Sequence, residues 1–236
     1  ESRERLQLSG QWRNRIFGYT ALGLFQSQNE IDNWNVVQDN NNNSSLRPGD
    51  IKYDDYNKDG VLNWKDEHVI GRGRTPEIMF GLNMNADYKG FELSMLWQGA
   101  TNFNAYYTSE AQNGFYSTPE QVPYAYLNDY WAPDNTDAKF PRMVASGAPN
   151  NKYISTFWIQ NATYFRLKNV ELAYNLPGSL MTKLKISAAR IYLSAYNILT
   201  IDNVYPFDPE AGGGNDDRGW FYPQQKSVSI GVKLTL

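Results

Sequence analysis

The sequence contains no cysteine, only one histidine and no long hydrophobic run. Without cysteine there are no disulfide bonds and no thiolate metal sites. Without a stretch of about 18 apolar residues there is no transmembrane helix. The formal net charge of −3 is mild and predicts no nucleic-acid partner. What the chain has instead is aromatic residues, which make up 15% of it.

Apolar and polar residues alternate along several stretches, which is the pattern of β-strands that carry one apolar face. The pattern and its turn signals predict an all-β chain of about seven strands. The Lys89-Gly90 pair predicts a tight hairpin between two of them. The predicted strands lie in residues 6–27 (a short strand, a turn and a longer strand), 79–90, 91–99, 167–177, 189–200 and 226–236.

Alternation alone suits both a soluble β-sandwich and a membrane β-barrel, because each has strands with one apolar and one polar face. The lengths of the connecting links favour the barrel. Links 89–90 and 177–188 are short, and they alternate with long polar links at 26–77, 101–162 and 201–225. Membrane barrels have short turns at the periplasmic end and longer loops outside.

Aromatic residues at the ends of the predicted strands also favour the barrel. Such residues form the interfacial girdle of membrane barrels, although strands are enriched in aromatics generally. The girdle predicted beside the short links consists of Tyr88, Phe91, Tyr174 and Tyr192.

The C-terminal residues resemble the signal by which outer-membrane barrels are recognised for insertion. The signal residues are Ser229, Gly231, Leu234 and Leu236. Signals of this type usually end in Phe, whereas this chain ends in Leu.

Several motifs in a fixed order resemble the C-terminal third of SusC/RagA-type TonB-dependent outer-membrane transporters of Bacteroidetes. The resemblance covers nearly the whole chain. The motifs are GLFQSQNEID (23–32), PGDIKYDDYNKDGVLNWKDEHVIGRGRTPEIMFGLN (48–83), YWAPDNTDAKFPR (130–142), WIQNATYFRLKNVELAYNLP (158–177), RIYLSAYNILT (190–200) with DPE (208–210), and the closing strand.

The resemblance implies a transmembrane antiparallel barrel of 22 strands with a plugged lumen. Seven strands cannot close such a barrel, so residues 1–236 are expected to be its C-terminal part, with the plug domain and the N-terminal strands lying elsewhere. The long loops would be extracellular, and the C-terminus and the short links periplasmic.

The function implied by the resemblance is active import across the outer membrane of a Gram-negative cell. The substrates would be glycans or peptides. The partners would be a SusD-like surface lipoprotein, the remainder of the barrel and its plug, TonB acting through the plug, and outer-membrane lipid. A different interpretation of the residues is a secreted, calcium-stabilised β-sandwich that binds carbohydrate.

The stretch DYNKDGVLNWKD (55–66) has the ligand spacing of a calcium loop. The predicted metal ligands are Asp55, Asn57, Asp59, Val61 (through its carbonyl), Asn63 and Asp66. Oxygen ligands suit Ca²⁺, with Mg²⁺ as the second choice. Aspartate at the last position instead of glutamate predicts a weaker site, and a metal-free turn rich in Asx residues is the alternative.

Aromatic residues crowd the long link 101–162, and aromatic faces stack on sugars and anchor protein interfaces. The candidates for contact with substrate or with a lipoprotein lid are Tyr124, Tyr126, Tyr130 and Trp131. The alternative is that these rings pack the link on itself. Such packing, or contact with the lid, is favoured over direct contact with the substrate.

The remaining polar stretches offer little chemistry. Residues 39–45 are interpreted as a flexible loop tip, and residues 210–223 contain three consecutive glycines beside Asp216, Asp217 and Arg218. His68 is the only histidine and has no nucleophile motif nearby. The sequence therefore does not predict an enzyme.

Overall fold

A computed structural model describes residues 15–112, 124–144, 148–210 and 224–235. Eleven strands and three α-helices lie within these residues. The strands are β1 (Ile16–Gly18), β2 (Ala21–Leu24), β3 (Ile51–Tyr53), β4 (His68–Gly71), β5 (Ile78–Tyr88), β6 (Phe91–Thr101), β7 (Asn104–Tyr106), β8 (Ile159–Asn161), β9 (Tyr164–Asn175), β10 (Ala188–Asp202) and β11 (Ser227–Thr235). The helices are α1 (Gln28–Asp32), α2 (Tyr124–Asn128) and α3 (Gly178–Leu184).

The five long strands β5, β6, β9, β10 and β11 form one antiparallel sheet in the order in which they occur in the chain. We call this sheet the wall. The all-β prediction is confirmed, and five of the predicted strands are wall strands. The longer strand predicted within 6–27 is absent from the described part of that range, which contains the short strands β1 and β2 instead.

All links on one side of the wall are short, and all links on the other side are long, because the wall strands alternate in direction. The β5–β6 link is a two-residue turn whose Lys89 and Gly90 both have positive φ, as a primed hairpin turn requires. The β9–β10 link holds only α3 and its flanking residues. The long links carry the six short strands.

A β-bulge at Lys168 keeps the apolar residues of β9 on one face. The pairing of β9 with β6 shifts between Asn169 and Leu167, so Lys168 is an extra residue in the ladder. Without this extra residue, the apolar side chains between Tyr164 and Leu167 and those from Asn169 onward would point to opposite faces of the wall.

The long links fold together into a layer with its own core, which we call the loop layer. Strand β2 pairs with β3, β1 with β4, and β7 with β8. The side chains of Phe25, Ile51 and Tyr53 are completely or almost completely buried. The loop layer is therefore packed like a small globular domain.

A buried polar network joins the first two long links. Both carboxylate oxygens of Asp50 are bound by Arg142, at 2.7 and 3.1 Å, and Asn151 donates to the same carboxylate at 3.0 Å. The hydroxyl of Tyr53 donates to the Asn150 carbonyl at 2.7 Å. Since these groups are buried and paired, each link holds the other in place.

No helix in the described ranges combines the length and the apolarity needed to cross a bilayer.

Candidate functional site

The wall has one continuous apolar face, produced by the register of its five strands. Cross-strand partners share a face, and the rows on this face are apolar from one edge of the wall to the other. One row joins Ala86, Leu93, Leu172, Leu193 and Ile230. We call this side the outer face.

The outer face is exposed rather than covered by protein. On β11, the exposed fractions of the apolar side chains are 66% for Val228, 78% for Ile230, 61% for Val232 and 59% for Leu234. A β-sandwich would bury these side chains against a second sheet. No such sheet covers them among the described residues, so the sandwich interpretation is not supported.

Aromatic rings border the apolar rows at both ends of the wall. Near the short links, the rings of Phe91 and Tyr174 lie 4.6 Å apart, beside Tyr88. Near the long links, Phe165 stacks on Trp97 at 4.7 Å and on Phe80 at 5.9 Å. Phe80 and Tyr88 are ~27 Å apart along β5 at the usual rise per residue. At a strand tilt of about 40° this distance spans about 21 Å of the membrane normal, close to the apolar band of about 25 Å of an outer-membrane barrel.

Tyr192 does not belong to this aromatic border, contrary to the sequence-based expectation. It pairs with Ala173 and Gly231 and shares a face with Arg190 and Ser194. Alternation within β10 places it on the polar side of the wall, because it lies one residue away from the outward-facing Ile191 and Leu193.

The opposite side of the wall, the inner face, carries charged groups that pair with one another. Near the short links, Arg190 contacts Glu171 at 2.7 Å and Glu92 at 3.0 Å, and Asn175 donates to Glu92 at 2.6 Å. A wall with an apolar side toward lipid and a polar side toward a lumen has this distribution of groups.

A second ionic cluster fixes the start of the third long link to the inner face. Arg166 is almost fully buried; its Nη2 donates to both Asp208 oxygens at 2.8 and 2.9 Å, and it also pairs with Glu210. The ammonium of Lys168 binds both Glu210 oxygens, at 2.6 and 2.7 Å. Two cations on the wall thus hold two carboxylates of the link.

Sequence reasoning missed the roles of these residues. The DPE motif and Arg166 enter only through the resemblance, and Lys168 lies in the strand predicted at 167–177. A signal was present, because the apolar alternation of β9 changes phase at Lys168, and a phase change indicates a bulge that redirects a side chain.

The acidic loop has a compact set of turns built from its own side chains. Asp55 accepts hydrogen bonds from the backbone of Asp59 at 3.2 Å and of Gly60 at 2.6 Å. Asn57 accepts from Asp59 at 2.9 Å, and Asp59 accepts from Val61 at 3.0 Å. The predicted ligands are therefore brought together in one loop, where their oxygens mostly accept backbone N–H groups.

Asp66 closes this loop from a fully buried position. Its two oxygens accept from the backbone of Asn57 at 3.2 Å and of Asn63 at 2.8 Å. Burial raises the pKa of Asp66, and the nearby carboxylates of Asp55 and Asp59 raise it further, while the two backbone hydrogen bonds oppose these effects. Among the described residues, no group of three or more acidic or histidine side chains is arranged to hold a metal ion, so calcium binding by this loop stays a prediction.

The aromatic candidates lie in different surroundings. Tyr126 is buried, its ring is stacked 4.1 Å from that of Phe140, and its hydroxyl donates to the Gln112 carbonyl. Trp131 is also buried and donates to Gln26 at 3.0 Å. Tyr130 is half-buried, and the side chain of Tyr124 lies outside the described residues. In this conformation Tyr126 and Trp131 pack inside the loop layer.

The residues of the C-terminal signal lie on β11, except Leu236, which is outside the described residues. Ser229 pairs with Ser194 on the inner face, and Leu234 is on the outer face. Gly231 has a separate structural role, because the Tyr192 ring lies where a side chain at 231 would be. Asp216, Asp217 and Arg218 also lie outside the described residues.

An antiparallel wall that is apolar outside, polar inside and bordered by aromatic rings is a section of a transmembrane β-barrel. Its two edge strands in the described part of the chain, β5 and β11, each pair on one side only.

Known proteins with this sequence pattern are TonB-dependent receptors. The chain is 30% identical over 235 residues to TonB-dependent receptor P26 of Formosa agariphila, a match that covers 92% of this chain and 22% of the receptor. It is 25% identical over 189 residues to TonB-dependent receptor SusC of Bacteroides thetaiotaomicron, covering 80% of this chain and 18% of SusC. No family model matches the chain.

Solved structures agree with the sequence matches. The RagAB peptide transporter superimposes on 94% of this chain with a TM-score of 0.62 and 24% identity, using 23% of its own chain. The RagAB peptide importer in its "closed-closed" state covers 93% of this chain and 23% of its own, with a TM-score of 0.59 and 25% identity.

The resemblance to SusC/RagA-type TonB-dependent transporters is therefore confirmed, and the chain is homologous to a segment of their barrel. It spans about a fifth of the length of the curated relatives it matches.

Proposed function

We propose that this chain is the C-terminal part of an outer-membrane importer driven by TonB. The observation that carries the proposal is the wall, with its exposed apolar outer face and its ion-paired inner face. Unpaired edges in lipid leave backbone groups without hydrogen bonds, so β5 and β11 need further strands of the same barrel. The plug domain and the N-terminal strands would lie in the remainder of that protein.

The same proposal sets the orientation and the partners. The loop layer faces outside, and the short links and the C-terminus face the periplasm, as in barrels with long external loops. A SusD-like lipoprotein contacts the loop layer, TonB acts through the plug, and the cargo is a glycan or a peptide. We propose transport rather than catalysis, and the relatives are named as receptors and transporters.

Fractionation and uptake test this proposal on the complete protein that carries the sequence. We expect the protein to sediment with the outer membrane, and we expect cells to take up fluorescent oligosaccharides or peptides only when both this protein and TonB are present. A protein that remains in the soluble fraction, or uptake that survives loss of TonB, contradicts it.

We also propose that the acidic loop holds Ca²⁺, with Mg²⁺ as a weaker competitor. Asp55, Asp59 and Asp66 would supply charge, and Asn57, Asn63 and the Val61 carbonyl would complete the set of ligands. The ion would neutralise neighbouring carboxylates and stiffen the loop. The buried carboxylate of Asp66 beside two other aspartates supports this proposal.

Terbium luminescence tests the metal site, because Trp64 lies within the loop and can sensitise a bound lanthanide. We expect a terbium signal that Ca²⁺ displaces at lower concentration than Mg²⁺. Asp55→Asn and Asp59→Asn should abolish the signal, while Asp32→Asn, outside the loop, should leave it intact. A signal that both loop variants retain contradicts the site.

A further inference from the structure

Two neighbouring pockets lie where the loop layer meets the inner face of the wall. The first has a volume of about 290 Å³ and is bordered by apolar residues such as Met79, Phe103 and Pro209 and by the polar side chains of Arg74, Gln98 and Glu210, for which we call it the polar pocket. The second, the aromatic pocket, has a volume of about 340 Å³ and is bordered by Lys139 and by the rings of Phe140, Phe157, Trp158, Tyr205 and Phe207. Tyr107 borders both pockets.

Tyr107 carries a hydroxyl group that is buried and has no hydrogen-bond partner among the described residues. The residue is only 4% exposed, and its ring centroid lies 4.6 Å from that of Phe207. Burial raises the pKa of Tyr107, Arg74 opposes the shift, and Asp202 and Asp208 add to it, so the hydroxyl keeps its proton. A buried donor without a partner calls for an explanation, and a ligand acceptor between the two pockets would provide one.

The polar pocket offers both donors and acceptors. Arg74 donates to the Tyr106 carbonyl at one edge, and Glu210 is held at the other by Arg166, Lys168 and Tyr164. The Gln98 amide, which donates to Tyr164 at 3.1 Å, lies on the wall side. An amide group needs a donor for its carbonyl and an acceptor for its N–H. Both Glu210 oxygens are already bound, so Gln98, whose side chain donates only to Tyr164, is the residue that would supply both.

The aromatic pocket is concave rather than a flat platform. The Phe157 and Trp158 rings meet at 71°, and the Tyr107 and Phe207 rings are inclined by 39°. The side chain of Gln160 is already bound to the Tyr205 backbone, accepting from its N–H at 2.7 Å and donating to its carbonyl at 2.6 Å. A sugar needs a flat ring face and free polar groups around it, whereas these surroundings suit an apolar side chain.

We propose that the two pockets together bind a peptide segment of the cargo, with an apolar or aromatic side chain in the aromatic pocket and a backbone carbonyl accepting a hydrogen bond from Tyr107. The inference rests on the proposed import function and narrows its cargo from glycan or peptide to peptide.

Calorimetry on the complete detergent-purified protein tests this assignment. The probes are the capped tripeptides acetyl-Ala-Phe-Ala-amide and acetyl-Ala-Gly-Ala-amide, with maltotriose as the glycan probe. We expect the Phe peptide to bind at least tenfold more tightly than the Gly peptide. Tyr107→Phe should weaken binding of the Phe peptide about fivefold, the effect of one hydrogen bond, without lowering thermal stability.

Two further variants make the result specific. Tyr205→Ala removes a half-exposed ring that forms one side of the aromatic pocket. It should weaken binding of the Phe peptide and leave the affinity for the Gly peptide unchanged. Tyr126→Phe keeps the ring that stacks on Phe140 and removes only a hydroxyl whose partner, the Gln112 carbonyl, borders neither pocket, so it should lower stability and leave peptide affinity unchanged.

The inference is overturned if neither peptide binds, if Tyr107→Phe binds the Phe peptide as tightly as the unmodified protein, or if maltotriose is the probe whose affinity depends on Tyr107 and Tyr205. The fractionation and TonB-dependence tests are independent of these measurements. If they succeed while the peptide assignment fails, the import function stands and only the pocket's cargo is wrong.

Discussion

Gly231 occupies the one position on β11 where the Tyr192 ring of the neighbouring strand lies directly over the backbone. A β-carbon at 231 would lie 2.3 Å from the Cζ atom and 2.4 Å from the hydroxyl oxygen of that ring, which is a clash with the outer end of the Tyr192 side chain. Tyr192 would have to leave its place on the inner face. The glycine is therefore required by close packing.

We predict that Gly231→Ala destabilises the folded wall by about 1–3 kcal/mol, the usual effect of overpacking. The measurement is the temperature at which the complete barrel loses its heat-modifiable mobility on gels. Gly178→Ala is the matched control, because nothing lies within 4 Å of a β-carbon there. Equal melting temperatures for the two variants would show that the ring moves aside freely.

Asp39 organises a turn that the sequence suggested was a flexible tip. One carboxylate oxygen accepts from the backbone of Asn41 and Asn43, both at 2.8 Å, and the other accepts from the backbone and hydroxyl of Ser45. Burial alone would raise the pKa of Asp39, but the hydrogen bonds from Ser45, Asn41 and Asn43 lower it below its usual value.

We predict that this turn is protected at neutral pH and loses protection in acid. A lowered folded pKa means that the stabilisation is fully present above the unfolded value of about 3.9 and is lost as the pH falls through the folded value. Hydrogen exchange of residues 39–45, corrected for intrinsic rates, measures it. Asp39→Asn should exchange faster at pH 7, by the equivalent of about 1–2 kcal/mol, whereas protection that is unchanged at pH 7 would rule out this role for the carboxylate.

Among the elements, β9 depends most on a single inserted residue. Lys168 lets Phe165 and Leu167 share the outer face with Val170 and Leu172, although the two pairs are out of phase in sequence. Deleting one residue from a strand moves every side chain beyond it to the other face.

We predict that deletion of Lys168 prevents assembly of the barrel, whereas Lys168→Ala assembles normally and loses only the partly exposed pair with Glu210, a cost of about 1 kcal/mol or less. Heat-modifiable mobility of the two proteins distinguishes these outcomes. A deletion variant that assembles like the alanine variant would show that the bulge does not set the register.

The loop layer depends on the pair that the fully buried Asp50 forms with the partly buried Arg142. Removing one partner of a buried ion pair costs about 3–5 kcal/mol, because the other charge remains buried. We predict that Arg142→Met exposes residues 26–77 and 101–162 to protease in intact cells, while Arg72→Met, whose pair with Glu77 is exposed, has little effect. Similar cleavage of the two variants would contradict a special role for the buried pair.

The alternation of apolar and polar residues predicted the wall strands well, because it follows directly from the apolar outer face and the polar inner face of the sheet. Residues 226–235 show this most clearly, since every second side chain from Val228 to Leu234 is on the outer face. The loop layer was not predictable in the same way. Asp50 and Arg142 are 92 residues apart in sequence, and no periodicity relates them. No sequence pattern marks Tyr107 either, because the absence of a hydrogen-bond partner for its hydroxyl among the described residues is visible only in the folded structure.

At the scale of the whole molecule, the central question is whether the outer face of the wall contacts lipid. These 236 residues contain no cysteine, so once any cysteine elsewhere in the complete protein has been replaced, single-cysteine variants carry a spin label at one chosen position each. Positions 228, 230 and 232 sample the outer face of β11, and positions 227, 229 and 233 sample the inner face.

The decisive measurement is the accessibility of these labels to oxygen, which dissolves in lipid, and to a water-soluble nickel complex, in the complete protein reconstituted into bilayers. We predict high oxygen accessibility at 228, 230 and 232 and low values at 227, 229 and 233, so that accessibility alternates between even and odd positions. Labels at 228, 230 and 232 that are shielded from both reagents, or reached mainly by the nickel complex, would show that this face meets protein or water and would contradict the barrel-wall account.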